Sequence, residues 1–324
     1  MRASEPAPLL EVRELRVHFP LRGGLFGRAR GIVRAVDGVS FSIAAGETLG
    51  LVGESGCGKT TLGRAVLKLV GVTSGSVRFE GQDVLAARGA KLLGIRRAMQ
   101  VVFQDPWSSL NPRMTAGAIV AEGIEIHRLA RAAEKQRRVA ALLEQVGLPA
   151  DAAGRLPHEF SGGQRQRIAV ARALAVEPRF VVCDEAVSSL DVSVQAQILN
   201  LLLELRERRG LAYLFISHDL AVVRTMSRRV AVMHLGEIVE IGPADEVLAR
   251  PRHPYTQALL AAVPRPRSDG EPPRLALQGE PPSPIDPPSG CRFHPRCPLA
   301  RAECRAAPPP VRTAAPDHEY RCIL

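Results

Sequence analysis

The chain has 324 residues, 46% hydrophobic and 23% charged, which supports one large or two modest globular units with ample core. Its longest apolar runs, such as residues 211–216, fall far short of the roughly 20 residues that span a bilayer, and residues 1–10 carry Glu5, Pro6 and Pro8 without an apolar h-region, so a cytoplasmic chain with disfavoured disulfides is expected. The net charge of +10 rests almost wholly on arginine, beside only four lysines, and Arg22, Arg28, Arg30 and Arg34 stand among glycines as a solvated loop, so no nucleic acid is expected as a partner.

Residues 10–19 have β character, and Val39, Phe41 and Ile43 alternate with polar or small residues, so the chain is expected to open with antiparallel strands. Phe19, at the end of the first strand, can stack on an adenine or fill core. Residues 48–52 are a short apolar run that suits a buried parallel strand, and residues 61–69 have helical spacing. Between them lies Gly53-Glu54-Ser55-Gly56-Cys57-Gly58-Lys59-Thr60, a complete glycine-rich phosphate loop. Glycines let such a loop turn its N–H groups inward around phosphates, and the helix that follows offers its positive end to the same anion. Lys59 is expected to reach the β- and γ-phosphates, Thr60 to ligate Mg²⁺, and Thr61 to stand beside them.

Residues 76–79 and 98–103 read as further strands, the second ending at Gln104-Asp105-Pro106, where proline halts regular structure. Residues 115–147 turn helical, forming a helical insert of about residues 106–176 in an α/β protein. Ser161 is placed to cap the helix that begins Gly162-Gly163-Gln164. Residues 180–185 form an apolar strand ending in Asp184 and Glu185; a strand-tip carboxylate can hold Mg²⁺ and its neighbour can orient or deprotonate water. After Ser189-Leu190-Asp191 come a helix through residues 197–208 and a strand over residues 211–216 that delivers His218, either a structural histidine or a third strand-tip group at the ligand edge of a parallel sheet. Residues 230–241 read as a hairpin turning at Gly236, and helices over 244–249 and 254–262 close the main domain. Nine prolines in residues 264–288 mark a linker or extended arm.

Taken in order, the phosphate loop, Gln104, Ser161-Gly162-Gly163-Gln164, Asp184-Glu185, Ser189-Leu190-Asp191 and His218 make the chain resemble the ATP-binding subunit of an ABC transporter. Residues 103–113 and 185–195, together with His253-Pro254-Tyr255-Thr256-Gln257 and Gly290-Cys291-Arg292-Phe293-His294-Pro295-Arg296-Cys297-Pro298, look like the oligopeptide/dipeptide importer subfamily. The surroundings of Trp107 and residues 17–21 are more like its F-type subunit. The fold implied is a phosphate-loop ABC ATPase: a mainly parallel sheet core, an N-terminal antiparallel β region and a helical subdomain over residues 1–263. A small cysteine-containing extension over residues 264–324 completes it.

By resemblance, ATP is sandwiched between two subunits, with Ser161, Gly162, Gly163 and Gln164 capping the partner's nucleotide and Asp191 joining the subunits near the shared sites. Glu185 would be the base, His218 would contact the γ-phosphate, and Thr60 and Gln104 would hold Mg²⁺ with support from Asp184. The partners implied are a D-type ATPase paralogue, two transmembrane permeases and, indirectly, an extracytoplasmic binding protein, at the cytoplasmic face of a bacterial membrane. Related systems carry dipeptides, oligopeptides, nickel or other small solutes. The rival reading is a soluble ABC-type ATPase acting on nucleic acid or ribosomes, which usually carries a second cassette or a coiled-coil insertion absent here.

The last motif is Cys291, Cys297, Cys304 and Cys322, in a stretch rich in Pro and Arg that is expected to build little core. Four thiolates around one metal would staple such a lobe, either as an iron–sulfur cluster or as zinc with His294 or His318 replacing a thiolate. The family resemblance favours a [4Fe–4S] cluster; four unrelated thiols are the alternative.

Overall fold

Leu10, Val12, Leu15 and Val17 are almost wholly buried, and the step of three between Val12 and Leu15 breaks strict alternation. The cause is a bulge: Glu14 takes a left-handed φ of 46°, and the register slips between Arg13 and Arg16. These residues belong to β1 (Leu10–Gly23), which lies beside β2 (Arg28–Ile43) and pairs antiparallel with β4 (Ser74–Phe79), itself followed by β5 (Gln82–Asp83). The computed structural model describes residues 7–23, 28–262 and 279–324. Most of the arginine-rich excursion expected as loop is strand, because β1 continues past Phe19 and β2 starts at Arg28.

Two units divide the chain. The first comprises residues 10–42, 48–85 and 217–324 and holds the strands above. It also holds β3 (Thr48–Val52), buried at all five positions, and α1 (Lys59–Val66). Its later part supplies α8 (Leu220–Met226), β9 (Arg229–His234), β10 (Glu237–Pro243), α9 (Ala244–Ala249) and α10 (Pro254–Ala261). Strand β3 pairs parallel with β9, and β9 forms the expected hairpin with β10 around Gly236 at φ 85°.

The C-terminal segment is better folded than its composition suggests. It adds α11 (Ala302–Ala306) and the hairpin β11 (Val311–Ala315) and β12 (His318–Arg321), with β12 antiparallel to β10 at Glu240↔Tyr320 and Ile241↔Glu319. Phe293 is 1% exposed, edge-on to Tyr255 at 5.3 Å and to His234 at 5.5 Å. Removing such a ring typically costs about 3–5 kcal/mol. Of the proline-rich arm, residues 263–278 lie outside the described residues, while Pro284 accepts a hydrogen bond from Arg34 N at 3.0 Å.

The second unit is built on residues 86–216 with residues 43–47. It contains α2 (Gly89–Ala98), β6 (Met99–Val102), α3 (Pro106–Ser109), α4 (Ala116–Ile126), α5 (Ala132–Gln145), α6 (Gly162–Leu174), β7 (Phe180–Asp184), α7 (Val192–Arg209) and β8 (Ala212–Ile216). Strands β6, β7 and β8 are parallel neighbours, with Val102↔Cys183 and Asp184↔Ile216 in register. Helices α4, α5 and α6 pack on one another, the helical insert expected between β6 and β7. Thr115 caps α4 by accepting from Ala118 N, and Gly210 ends α7 in the left-handed conformation. Among the described residues no helix is long and apolar enough to cross a membrane.

Candidate nucleotide-binding site

The phosphate loop spans the turn from β3 to α1. Gly53 has φ 153° and Gly58 has φ 110°, and both lie against backbone. A Cβ on Gly53 would sit 2.2 Å from the Met233 carbonyl oxygen, and one on Gly58 2.0 Å from that of Ala35. Any larger residue would push the loop away from this support, so the glycines are required by contact as well as by φ. Lys59 is 4% exposed, and its Nζ donates to the carbonyls of Gly53 at 2.8 Å and Glu54 at 2.9 Å. A buried ammonium held by its own loop is a pre-placed positive charge, which fits a phosphate group. Thr60 follows in the first turn of α1. Burial pushes the Cys57 thiol up despite the nearby Lys59 ammonium, so it serves as packing rather than as a nucleophile.

A cleft of about 360 Å³ borders this loop, lined by Val52, Gly53, His218, Asp219, Leu220 and Leu259 among others. His218 is exposed there, immediately before Asp219, which caps α8 by accepting from Ala221 N and Val222 N. The structure therefore brings His218 to the same cleft as Gly53. Phe19 is 40% exposed and lies within β1 rather than at its end.

Glu54 draws in residues that the sequence reading passed over. Its N–H donates to the Tyr255 hydroxyl at 2.9 Å, and its carboxylate accepts from both terminal nitrogens of Arg296 at 2.6 and 2.9 Å. Burial works to raise the Glu54 carboxyl, but the bonds and charge of Arg296 outweigh it and hold the group below the usual carboxylate range. Burial pushes neighbouring His234 down to about 4, so it is neutral near pH 7.

In the second unit, β7 ends in buried Asp184, and Glu185 follows at φ 49°. A non-glycine in that region costs on the order of 1–3 kcal/mol, and such strain clusters at functional positions. Three contacts hold it. Glu185 N donates to Ile216 O at 3.0 Å, Ser188 Oγ donates to Glu185 O at 3.0 Å, and Gln104 Nε2 donates to Glu185 Oε2 at 3.0 Å. The parallel pairing of β6 with β7 explains the last contact, since Gln104 and Glu185 both follow the paired residues Val102 and Cys183.

Ser161 and Gln164 form a reciprocal cap at the start of α6: Ser161 Oγ accepts from Gln164 N, and Gln164 Oε1 accepts from Ser161 N at 2.9 Å. Gly162 is open, a Cβ there meeting only Leu190 at 3.6 Å. Gly163 is not, because a Cβ would fall 2.3 Å from Val194 Cγ1 of α7. Gly163 therefore has a packing reason that its motif conceals. Asp191 has a capping one, accepting from Val194 N at 3.0 Å and from Ser193 Oγ at 2.7 Å.

The structure does not assemble the expected four-cysteine centre. Cys291 N donates to Cys304 O at 2.8 Å, and burial, with Cys304, Cys322 and Cys297 as added negative neighbours, pushes the Cys291 thiol up to about 11. These thiols thus lie within each other's electrostatic reach. Yet among the described residues no group of three or more His, Cys, Asp or Glu side chains is arranged to hold a metal ion, and all six cysteines are free. Protonated thiols do not repel one another and need no metal to lie close, whereas a ligand set needs thiolates. His318 is committed elsewhere, with Nε2 2.8 Å from Glu240 Oε1.

A phosphate loop braced by backbone, two acids at a strand tip and a capped Ser-Gly-Gly-Gln helix define an ATP-binding cassette. The ABC transporter family model matches residues 36–188, and that of the oligopeptide/dipeptide transporter C-terminal region matches residues 239–304. The chain is 50% identical to the oligopeptide transport ATP-binding protein AppF of Bacillus subtilis, over 100% of this chain and 99% of that one. It is 54% identical to a probable peptide ABC transporter ATP-binding protein of Sinorhizobium fredii, over 94% of this chain and 86% of the relative. The dimeric ATP-binding cassette MJ0796, solved in a post-hydrolysis state with ADP and Pi, superposes with a TM-score of 0.65 at 27% identity, covering 72% of this chain and 98% of its own. This chain belongs to the ABC transporter ATP-binding proteins, in the oligopeptide/dipeptide group.

Proposed function

We propose that this chain binds and hydrolyses ATP to power import of dipeptides or oligopeptides through a membrane transporter. The observation that carries the reading is Glu185, held in left-handed backbone at the tip of β7 with its carboxylate fixed by Gln104. A general base must be aimed before it can act, and this one is aimed by its own unit. Lys59 and the amides of residues 53–58 would bind the phosphates, and Thr61, with Phe19 on the base, would complete the nucleotide contacts. Thr60 and Gln104 would hold Mg²⁺, supported by Asp184. Mg²⁺, when bound, supplies charge neutralisation on the phosphates. His218 would contact the terminal phosphate.

In this reading Ser161, Gly162, Gly163 and Gln164 serve the ATP of a second ATPase subunit, a D-type paralogue, and Asp191 lies near the junction. Two permeases and an extracytoplasmic binding protein complete the transporter, with this chain peripheral on the cytoplasmic face of a bacterial membrane. Residues 1–263 would form the nucleotide-binding domain and residues 264–324 its extension. Affinity capture tests the assembly: permease subunits are expected in the bound fraction, and recovery of ribosomes or nucleic acid without permeases would contradict it.

The open surroundings of Gly162 make Gly162→Asp a clean probe, because the new side chain has room within its own subunit. Its carboxylate would instead face a triphosphate at close range and repel it. In the assembled pair, Gly162→Asp in this chain and alanine at the partner's own phosphate-loop lysine place both lesions in one composite site and spare the second. That dimer is expected to keep more ATPase activity than one carrying both lesions on a single subunit. Equal activity would rule out the head-to-tail arrangement.

Cys291, Cys297, Cys304 and Cys322 are proposed to bind one metal centre, a [4Fe–4S] cluster in preference to zinc. Their clustering in one short lobe, with Cys291 N donating to the Cys304 carbonyl at 2.8 Å, supports this. Anaerobic purification with iron, sulfide and zinc analysis is expected to find iron and sulfide at four per chain, about the content of one cluster. Stoichiometric zinc would replace the cluster with a zinc site, and a metal-free folded tail would remove the centre.

A further inference from the structure

Glu54 is an unusual neighbour for a phosphate, because its carboxylate adds negative charge to a loop built to receive a polyanion. The structure shows what offsets it. The Arg296 guanidinium, 5% exposed, grips both carboxylate oxygens of Glu54 in a fork. The same residue is held at its N–H by Tyr255 and at its carbonyl by Lys59, so two of the three anchors come from outside the loop. The Tyr255 ring lies tilted against that of His234, with centroids 4.3 Å apart, and packs against Phe293, three residues before Arg296.

A second arginine of the same short stretch reaches the loop indirectly. Arg292 donates to the Leu235 carbonyl and pairs with Asp37 and, at 3.0 Å, with Glu237, which fixes the turn between β9 and β10. Within that turn Gly236 N donates to Cys57 O at 2.9 Å, and Gly236 O accepts from Asp37 N at 2.8 Å. The C-terminal stretch therefore supports the loop at Glu54 directly and at Cys57 through the turn.

We infer that residues 291–297 brace the phosphate loop, and that Arg296 is a positioning residue for nucleotide binding that acts by neutralising and orienting Glu54. This rests on the loop being the ATP site proposed above. Losing Arg296 leaves an uncompensated carboxylate where phosphates must bind. The effect should fall on nucleotide affinity, and removing the carboxylate as well should relieve it. A merely structural role predicts the opposite, that a second lesion deepens the first.

The test is MgATP binding to the full chain, with kcat and KM from the assembled transporter. Arg296→Gln is expected to weaken MgATP binding about ten- to hundredfold, the effect of losing a charge-assisted pair, and to raise KM while kcat at saturating ATP changes little. Arg296→Lys, which keeps the charge but not the fork, is expected to fall between it and the unaltered chain. Glu54→Gln added to Arg296→Gln should recover most of the affinity, and thermal melting of that pair shows whether the fold is intact. Unchanged affinity in Arg296→Gln overturns the brace. So does a loss that Glu54→Gln does not relieve, or one in which kcat falls as far as affinity. Absence of MgATP binding by the unaltered chain would overturn the nucleotide reading itself, and the brace with it.

Discussion

Replacing Lys59 with alanine is expected to abolish tight MgATP binding and, with it, coupled uptake. The Lys59 ammonium is 4% exposed and held between the Gly53 and Glu54 carbonyls, so it is a fixed charge that bulk water cannot replace. Truncating one partner of such a buried charge pair weakens binding by about 2–5 kcal/mol, roughly 30-fold to several thousandfold. The substitution also strands two loop carbonyls, each costing about 1–3 kcal/mol if left without a donor. Calorimetric titration with MgATP measures the first effect and thermal unfolding the second. Near-normal affinity would remove Lys59 from the phosphate site.

Glu185→Gln should behave in the opposite way, retaining ATP and losing turnover. The amide matches the carboxylate in size, and its oxygen can still accept from Gln104 Nε2, so the strand tip keeps its shape. What disappears is the capacity to take a proton. Hydrolysis by the assembled complex is expected to fall by roughly 10²–10⁴-fold, the usual contribution of a positioned general base. Unchanged turnover would place the base elsewhere. Together the two substitutions separate holding the nucleotide from cleaving it.

Much of this was legible because the informative signals are local. The phosphate loop announces itself by spacing between an apolar strand and a helix, and Asp184-Glu185 by ending an unbroken apolar run. Ser161 as a cap was readable for the same reason, and α6 begins where expected. The contacts that hold these residues were not readable. Arg296 and Glu54 are 242 positions apart, and no periodicity links a proline-rich tail to a glycine-rich loop.

Gly163 looked like a nucleotide residue because its motif names it so; only the approach of Val194 reveals its packing duty. Residues 20–23 of β1 were not readable as strand, since Pro20 and the glycines and arginines beside it carry the composition of a loop. The short strands β11 and β12 have mostly exposed or half-buried residues and gain their place because β12 pairs with β10 and β11 with β12, a signal that composition does not carry.

The central claim is that hydrolysis by this chain drives peptide import. Uptake of a labelled oligopeptide into vesicles carrying the assembled transporter, with ATP supplied to the face bearing this chain, tests it most directly. Accumulation should require ATP, stop with Glu185→Gln and be unaffected by nucleic acid. Uptake that persists with Glu185→Gln, or ATP turnover that peptide-loaded binding protein does not alter, would contradict the account.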